Sequence, residues 1–244
     1  ALFAGGSISK DFAPHAVKAG AVVIDNSSAF RMDPEVPLVV PEVNPQAILK
    51  HKGIIANPNC STIIMVMALK PIYDLAKIKR VIVSTYQAVS GAGKEGIDEL
   101  DAQVREHSEG REMTANILPS ASAEKHYPIA FNLIPQIDVF CDNLYTKEEM
   151  KMVNETKKIM EDYEMRITAT TIRVPVYRSH SESVNIELEK EVDLGAMREA
   201  LAKFPGVTVQ DDPSKQEYPM PLYTSEKDDV YVGRLRRDES CEKS

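Results

Sequence analysis

The chain has 244 residues, a net charge of −8, 43% hydrophobic residues and 27% charged residues, which is the profile of a soluble globular protein with one large domain or two smaller ones. The acidic balance argues against a nucleic-acid or anionic-membrane binder, and no stretch is long and apolar enough to span a bilayer. The three cysteines form an odd, sparse set. They indicate a reducing compartment rather than a disulfide framework, so we expect a cytoplasmic protein.

The first part of the chain alternates between strand and helix patterns. Apolar runs predict strands over residues 1–4, 21–28 and 53–59, and a helix is predicted over 11–19, ended by Gly20. Strands that alternate with helices are typical of a doubly wound α/β sheet.

After this part, longer helices alternate with strands. Helices are predicted over residues 61–77, 94–109, 147–162 and 193–204. Strands are predicted over residues 80–89, 167–176, 183–191 and 230–237. Alternation of apolar and polar residues within 183–191 is typical of a half-buried strand with one polar face. We expect a mixed α+β sheet layer, with residues 210–221 as the most loop-like stretch.

A cysteine stands at the predicted start of a helix, in the segment NPNCSTI. Asn57-Pro58 marks a turn, and Asn59 is a favoured helix-capping residue. Free N–H groups and the positive end of the helix dipole stabilise an anion there, which predicts a lowered thiol pKa and a nucleophilic Cys60. The alternative is a buried cysteine that acts as a small hydrophobic residue.

Further segments carry candidate ligand groups. Gln87 lies near the end of a predicted strand, where open α/β sheets place ligand-binding groups. Gly91 permits a ligand to approach the backbone closely, and the alternative is that this segment is a plain turn.

Arg173 and His180 flank a predicted bend between two strands. Arginine binds carboxylates through two hydrogen bonds, and histidine is the usual general acid or base. The alternative for a single histidine is a structural role, which is more common. Arg31 could hold a phosphate or form a surface salt bridge. No cysteine or histidine pair has zinc-site spacing, so no catalytic metal is expected.

Six segments, in this order, closely resemble the bacterial aspartate-semialdehyde dehydrogenase family: DNSSAFRMDPEVPLVVPEVNP, NPNCSTI, VSTYQAVSGAG, HYPIAFNLIPQIDVF, YTKEEMKMVNETKKIM and RVPVYRSHSES. The resemblance covers essentially the whole chain. It is fainter to N-acetyl-glutamyl-phosphate reductases and glyceraldehyde-phosphate dehydrogenases.

The resemblance implies an α/β fold with a particular division. Residues 1–59 would be the remnant of a Rossmann-type NADP-binding domain, and residues 60–237 an α+β catalytic and dimerisation domain with a mixed sheet. Residues 238–244 would be a truncated return to the nucleotide domain. The family's N-terminal phosphate loop and C-terminal helix have no counterpart here, so we expect the natural chain to be longer at both ends.

The resemblance also implies the reaction. Family members use NADPH to convert L-4-aspartyl phosphate to L-aspartate 4-semialdehyde, a step towards lysine, threonine and methionine. Cys60 would form an acyl-thioester, Gln87 would orient the substrate, Arg173 would bind its α-carboxylate and His180 would be the acid or base.

The remaining implied contacts concern the other parts of the substrate and the cofactor. Arg31, Asn59 and Lys151 would hold the phosphate, and Glu148 would meet the amino group. Ser90-Gly91 would contact NADP. The expected assembly is a homodimer or a dimer of dimers. The alternatives are an N-acetyl-glutamyl-phosphate reductase and a non-catalytic dimerisation fragment.

Overall fold

The computed structural model describes residues 5–243, so the strand predicted for residues 1–4 lies outside the described residues. The helices are α1 (Gly6–Lys18), α2 (Cys60–Leu75), α3 (Lys94–Ser108), α4 (Lys147–Met160), α5 (Leu194–Lys203) and α6 (Pro221–Thr224). The strands are β1 (Val23–Asp25), β2 (Ile54–Ala56), β3 (Ile78–Gln87), β4 (Arg166–Arg173), β5 (Ser181–Leu188), β6 (Val207–Val209) and β7 (Val230–Val232). Short 3-10 helices cover Pro45–Lys50, Val89–Ala92 and Pro213–Lys215.

The N-terminal part is a small α/β unit. β1 pairs with β2 in parallel, and Val23 lies opposite Ile54. α1 packs beside β1, where the buried Ser9 hydroxyl donates a 2.6 Å hydrogen bond to Asp25 Oδ1. A parallel pair with a flanking helix is what a doubly wound sheet contains, as the sequence predicted.

The main sheet has the strand order β4-β3-β5 and is mixed. β3 runs parallel to β4, and their register ends with Gln87 opposite Arg173. β3 runs antiparallel to β5, with Tyr86 opposite Ser181. One edge of the sheet therefore brings together Gln87, Arg173 and the residue before β5, His180. The predicted fold class, α/β with a mixed sheet in the second part, is confirmed.

The main core lies on one face of this sheet. β3 alternates between buried Val81 and Val83 and more exposed outer positions such as Tyr86, which is 41% exposed. The buried valines share a core with Met65 of α2 and Met152 of α4, helices that also pack against each other. Each such fully buried apolar side chain contributes about 1.5–3 kcal/mol. This core fixes the start of α2 against α4, where the candidate site lies.

Several element boundaries differ from the sequence predictions. The last strand ends at Val232 rather than at residue 237, because Arg234 has a φ of 60°, which lies outside the extended region. β6 was not predicted, since a three-residue strand carries too little periodic pattern; it pairs in parallel with β7. α1 begins at Gly6, five residues before its predicted start. Over residues 5–243, none of the helices combines the length and apolarity needed to cross a bilayer.

Candidate active site

Helix α2 begins at Cys60, and the preceding residue caps it. Asn59 has an extended backbone, and its Oδ1 accepts a hydrogen bond from the Thr62 N–H at 3.2 Å. Cys60 is exposed, so its thiol can meet a reactant at the positive end of the helix. The predicted helix start and capping residue are confirmed.

The pKa of the Cys60 thiol is raised above its ordinary value. Desolvation by the surrounding protein is the main cause, and the Glu148 carboxylate adds to it. Hydrogen bonding to Ser61 and the charge of Arg173 lower this pKa, but they do not outweigh the other two effects. The predicted lowering of the Cys60 pKa is therefore wrong. The helix start acts in the predicted direction, yet tertiary packing places the Glu148 carboxylate near the thiol and surrounds part of the exposed residue with protein, and both effects raise the pKa.

Glu148, in the first turn of α4, is the centre of a hydrogen-bonded group. It is 5% exposed. Its Oε1 accepts hydrogen bonds from Asn59 Nδ2 at 2.9 Å and Gln87 Nε2 at 3.3 Å, and Lys151 Nζ donates to Oε2 at 3.2 Å. Residues from α4, β3 and the cap of α2 thus meet on one carboxylate. A buried negative charge of this kind is suited to a cationic ligand.

Lys151 lies on the same face of α4, one turn after Glu148. Its Nζ donates to Glu148 and also to Asp138 Oδ2 at 3.0 Å. Burial opposes the charged form, but the two carboxylates outweigh burial and raise the pKa of Lys151. Lys151 is therefore a firmly charged ammonium beside the cap of α2.

Arg31 lies in the loop after β1 and is 8% exposed. Its Nη1 pairs with Glu155 Oε1 at 3.2 Å, and its Nε and Nη2 donate to the main-chain oxygens of Asn57 at 2.9 Å and Asn26 at 3.0 Å. The second oxygen of Glu155 accepts the Asn59 N–H at 2.7 Å. Burial raises the pKa of Glu155, while Arg31 opposes that rise. The ion pair of Arg31 is thus buried, not on the surface, and it joins two loops to α4.

Arg173, the last residue of β4, is 4% exposed. Its Nη1 donates to the Ala88 carbonyl oxygen at 2.8 Å, and its buried Nε has no hydrogen-bond partner within residues 5–243. Burial lowers the pKa of Arg173, and Glu148 and Cys60 oppose that effect. A guanidinium with an unused buried donor is suited to bind a carboxylate through two hydrogen bonds.

His180 lies immediately before β5, and its Nδ1 accepts a hydrogen bond from the Ala88 N–H at 3.0 Å. Burial, and then the charge of Arg173, lower the pKa of His180 to about 4, against a smaller opposing effect of Glu148. The imidazole is therefore neutral at pH 7. Arg173 ends β4 and His180 precedes β5, so the two residues flank the connection between these strands as predicted, and both hydrogen-bond to the main chain of Ala88.

Ser90 and Gly91 lie in the 3-10 helix Val89–Ala92 that follows β3. The Gly91 backbone lies against Arg173 and His180, so this turn borders the site. Within the described part of the chain, the Ser90 side chain makes no hydrogen bond, which leaves its hydroxyl available to a ligand. Across residues 5–243 there is no group of three His, Cys, Asp or Glu residues that could hold a metal ion.

Sequence reasoning missed two groups of this site. Glu155 carried a signal, since it follows Glu148 by seven residues and so lies on the same face of α4 two turns later. Ala88 carried none, because it acts through its backbone N–H and carbonyl. The remaining predicted site residues all lie around the start of α2 and the edge of the main sheet.

Two family models match the chain. The semialdehyde dehydrogenase NAD binding domain matches residues 1–51, and the semialdehyde dehydrogenase dimerisation domain matches residues 69–244. The mixed sheet and the capped, exposed cysteine agree with these matches. The protein is therefore of the semialdehyde dehydrogenase class, a class of nicotinamide-dependent oxidoreductases.

Individual relatives narrow the class further. Aspartate-semialdehyde dehydrogenases of Aquifex aeolicus and Bacillus subtilis are 58% and 56% identical, over 98% of this chain and 69% of each relative. A crystal structure of aspartate semialdehyde dehydrogenase II from Vibrio cholerae, complexed with ASA, has a TM-score of 0.91 and 47% identity, over 98% of this chain and 69% of that one. The chain belongs to the aspartate-semialdehyde dehydrogenase family, as the sequence motifs indicated.

Proposed function

We propose that the protein catalyses the NADPH-dependent reductive dephosphorylation of L-4-aspartyl phosphate to L-aspartate 4-semialdehyde, through a thioester on Cys60. The observation that carries this proposal is an exposed cysteine, Cys60, at a capped helix start. Around it lie the hydrogen-bonded group centred on Glu148, and Arg173 and His180, which both hydrogen-bond to the main chain of Ala88. The relatives' names favour this reaction over that of an N-acetyl-glutamyl-phosphate reductase. The unused buried Nε of Arg173 and the exposed Cys60 favour an enzyme over a non-catalytic dimerisation fragment.

Charge complementarity supports the substrate assignment. The α-carboxylate would bind Arg173, whose buried Nε is unused, and the ammonium would bind the Glu148 carboxylate. Arg31, Asn59 and Lys151 would hold the phosphate. Asn59 caps α2 and Lys151 is hydrogen-bonded to Glu148, while Arg31 pairs with Glu155, whose second oxygen accepts the Asn59 N–H. The whole chain has a net charge of −8, so an anionic substrate depends on these local cations.

In the first half of the reaction, Cys60 starts as a thiol and not as a thiolate, because its pKa is raised. The sulfur attacks the acyl carbon, the C–S bond forms as the C–O bond to phosphate breaks, and the thiol proton leaves with the phosphate. Gln87 would hold the substrate carbonyl from the sheet edge, where its amide already lies beside Glu148. The carbonyl oxygen would meet the free N–H groups at the start of α2 as negative charge develops on it.

In the second half, a nicotinamide cofactor would supply the hydride that reduces the thioester. Cys60 then leaves as a thiolate when the C–S bond breaks and the aldehyde forms, and it recovers a proton from solvent. His180 would be the general acid or base of the reaction. Ser90 and Gly91 would contact the cofactor, and the matched NAD binding domain model together with the free Ser90 hydroxyl supports this assignment and NADP as the cofactor.

The proposal also includes the oligomeric state of the protein and the division of its chain into domains. The match to a dimerisation domain supports a homodimer or a dimer of dimers, and the outer face of the main sheet offers half-exposed residues such as Tyr86 for that contact. The division at residues 1–59, 60–237 and 238–244, and the cytoplasmic location, remain predictions.

The test is the reverse reaction. Aspartate semialdehyde, phosphate and NADP⁺ are mixed with the 244-residue chain and with a form extended to the length of its relatives, and NADPH absorbance is followed. We expect phosphate-dependent turnover that Cys60→Ser abolishes and Cys141→Ser, a matched thiol exchange at a partly buried cysteine, preserves. A folded protein with no turnover in either form, or a Cys60→Ser variant with normal turnover, would refute the proposed function.

A further inference from the structure

Glu155 of α4 joins two parts of the proposed active site. It is 1% exposed, and both of its carboxylate oxygens accept hydrogen bonds. Oε1 accepts from Arg31 Nη1 at 3.2 Å, and Oε2 accepts from the Asn59 N–H at 2.7 Å. Glu155 follows Lys151 by four residues, so the two side chains lie on the same face of α4. Glu155 thus contacts a proposed phosphate ligand and the residue that precedes the proposed nucleophile.

The contacts of Arg31 and Glu155 close a ring around the turn that precedes Cys60. Arg31 Nε donates to the Asn57 carbonyl oxygen at 2.9 Å, while Glu155 accepts the Asn59 N–H. The two side chains are bonded to each other, and Asn57 and Asn59 are joined through a single proline. Moving either side chain breaks a buried hydrogen bond, so the ring has little freedom. The position of Arg31 is therefore linked to the position of Cys60.

The same helix also holds the main chain of Arg31. Lys158 lies one turn after Glu155. Its Nζ donates to three carbonyl oxygens of the loop after β1, those of Arg31, Asp33 and Val36, at 2.8, 2.7 and 2.8 Å. The side chain of Arg31 has five N–H groups, of which three donate to partners within the described residues. One N–H on each terminal nitrogen is left for a ligand, and α4 fixes the residue that carries them.

We propose that Glu155 is a positioning residue that holds Arg31 and the turn before Cys60 in the geometry that phosphate transfer requires. The inference rests on the proposed function, in which Arg31 binds the phosphate and Cys60 attacks the acyl carbon. In an acyl phosphate, a single bridging oxygen separates that carbon from the phosphorus. The separation of the sulfur and the guanidinium must therefore match the substrate, and the ring through Glu155 sets this separation.

The charge of Glu155 separates this proposal from a simple electrostatic effect. Like charges repel, so a carboxylate near the phosphate would weaken phosphate binding if charge were its only contribution. A neutral replacement would then lower the KM for phosphate. If Glu155 positions Arg31, the same replacement raises this KM. Glutamine has one acceptor oxygen for two donors, so either Arg31 or the Asn59 N–H meets an amide N–H₂ and moves away.

The test compares Glu155→Gln with a matched variant of the same helix, Glu149→Gln. Glu149 is 7% exposed, and its two oxygens accept the N–H groups of Thr146 and Thr171 at 2.7 and 3.0 Å, neither of which is a proposed phosphate ligand. Both variants lose one buried hydrogen bond and should unfold at a lower temperature than the parent.

The two variants should differ in the kinetics of the reverse reaction. We expect Glu155→Gln to raise the KM for phosphate about tenfold or more. The KM for aspartate semialdehyde should change by less than about twofold, as should both KM values in Glu149→Gln. A KM for phosphate that is unchanged or lowered in a folded Glu155→Gln variant would overturn the proposal and leave the proposed function standing.

Two further variants keep the proposal testable if Glu155→Gln does not fold. Glu155→Asp keeps the charge but is one methylene shorter, so it cannot reach both donors, and it should also raise the KM for phosphate; an unchanged KM would contradict positioning. Arg31→Lys keeps a cation but loses the planar group that completes the ring. In that background, exchanging Glu155 should change the KM for phosphate by less than about twofold. An equal effect in both backgrounds would show that Glu155 does not act through Arg31.

A measurement without turnover decides the question if the parent protein is inactive. Phosphate is added to the protein with iodoacetamide, and alkylation of Cys60 is followed by peptide mass spectrometry. Phosphate should protect Cys60, and the half-protecting concentration should be about tenfold higher in Glu155→Gln. This result in a protein without turnover would refute the proposed function and support the positioning role. No protection in an inactive parent would overturn both proposals.

Discussion

Gly91→Ala is the substitution whose effect the geometry of the site predicts most directly. A Cβ on residue 91 would lie 2.6 Å from Arg173 Nη1 and 3.3 Å from two ring atoms of His180. Reaching ordinary van der Waals contact requires the guanidinium to move by about 1 Å. That movement breaks its 2.8 Å hydrogen bond to the Ala88 carbonyl.

The expected cost falls on catalysis more than on folding. Displacing one end of Arg173 and losing one hydrogen bond should lower the free energy of unfolding by about 1–2 kcal/mol. A misplacement of about 1 Å in a substrate-positioning group can cost about 10²-fold in rate. We therefore expect kcat/KM for aspartate semialdehyde to fall about 10²-fold. Its KM should rise more than the KM for phosphate, because we propose that Arg173 binds the α-carboxylate.

The assay is steady-state kinetics of the reverse reaction beside thermal unfolding. Gly6→Ala is the matched control, because no atom lies within 4 Å of its added Cβ, and it should leave both readings nearly unchanged. The reasoning is refuted if Gly91→Ala keeps a normal kcat/KM, or if it loses activity only in proportion to a loss of folded protein.

Three further substitutions have expected outcomes. Arg173→Lys should raise the KM for aspartate semialdehyde and lower kcat, because lysine lacks the two-pronged donor group; an unchanged kcat/KM would contradict a carboxylate role. Glu155→Ala should lower the free energy of unfolding, measured by chemical denaturation, by about 3–5 kcal/mol. The substitution leaves the buried Arg31 without its carboxylate partner and the Asn59 N–H without an acceptor. A loss below about 1 kcal/mol would contradict this account. Burial raises the pKa of Glu182 well above its ordinary value, and its Oε1 has no hydrogen-bond partner within the described residues. The folded state therefore holds this proton more tightly than the unfolded chain, so the native protein loses stability as pH rises from the unfolded pKa towards the folded one. Glu182→Gln should accordingly raise the melting temperature more at pH 8 than at about pH 5, and a shift equal at both pH values would argue against a buried carboxyl group.

Local sequence determined where the proposed nucleophile lies. The Asn-Pro-Asn turn and the capping preference of Asn59 specify a helix that begins at Cys60, because capping depends only on residues within one turn. The parallel pair in the first part and the mixed sheet in the second also followed from alternating patterns, and the motif order indicated the family. These features were predictable because each depends on short-range spacing.

Tertiary structure alone decided the electrostatics of the site. The pKa of Cys60 is raised, against the prediction, because Glu148 lies 88 residues further along the chain and is brought beside it by the packing of α4 on α2. The low pKa of His180 depends in the same way on burial and on the charge of Arg173 at the sheet edge. Charge interactions and desolvation depend on distances in space, which the register of β3 with β4 and β5 sets and which no local pattern in the sequence records.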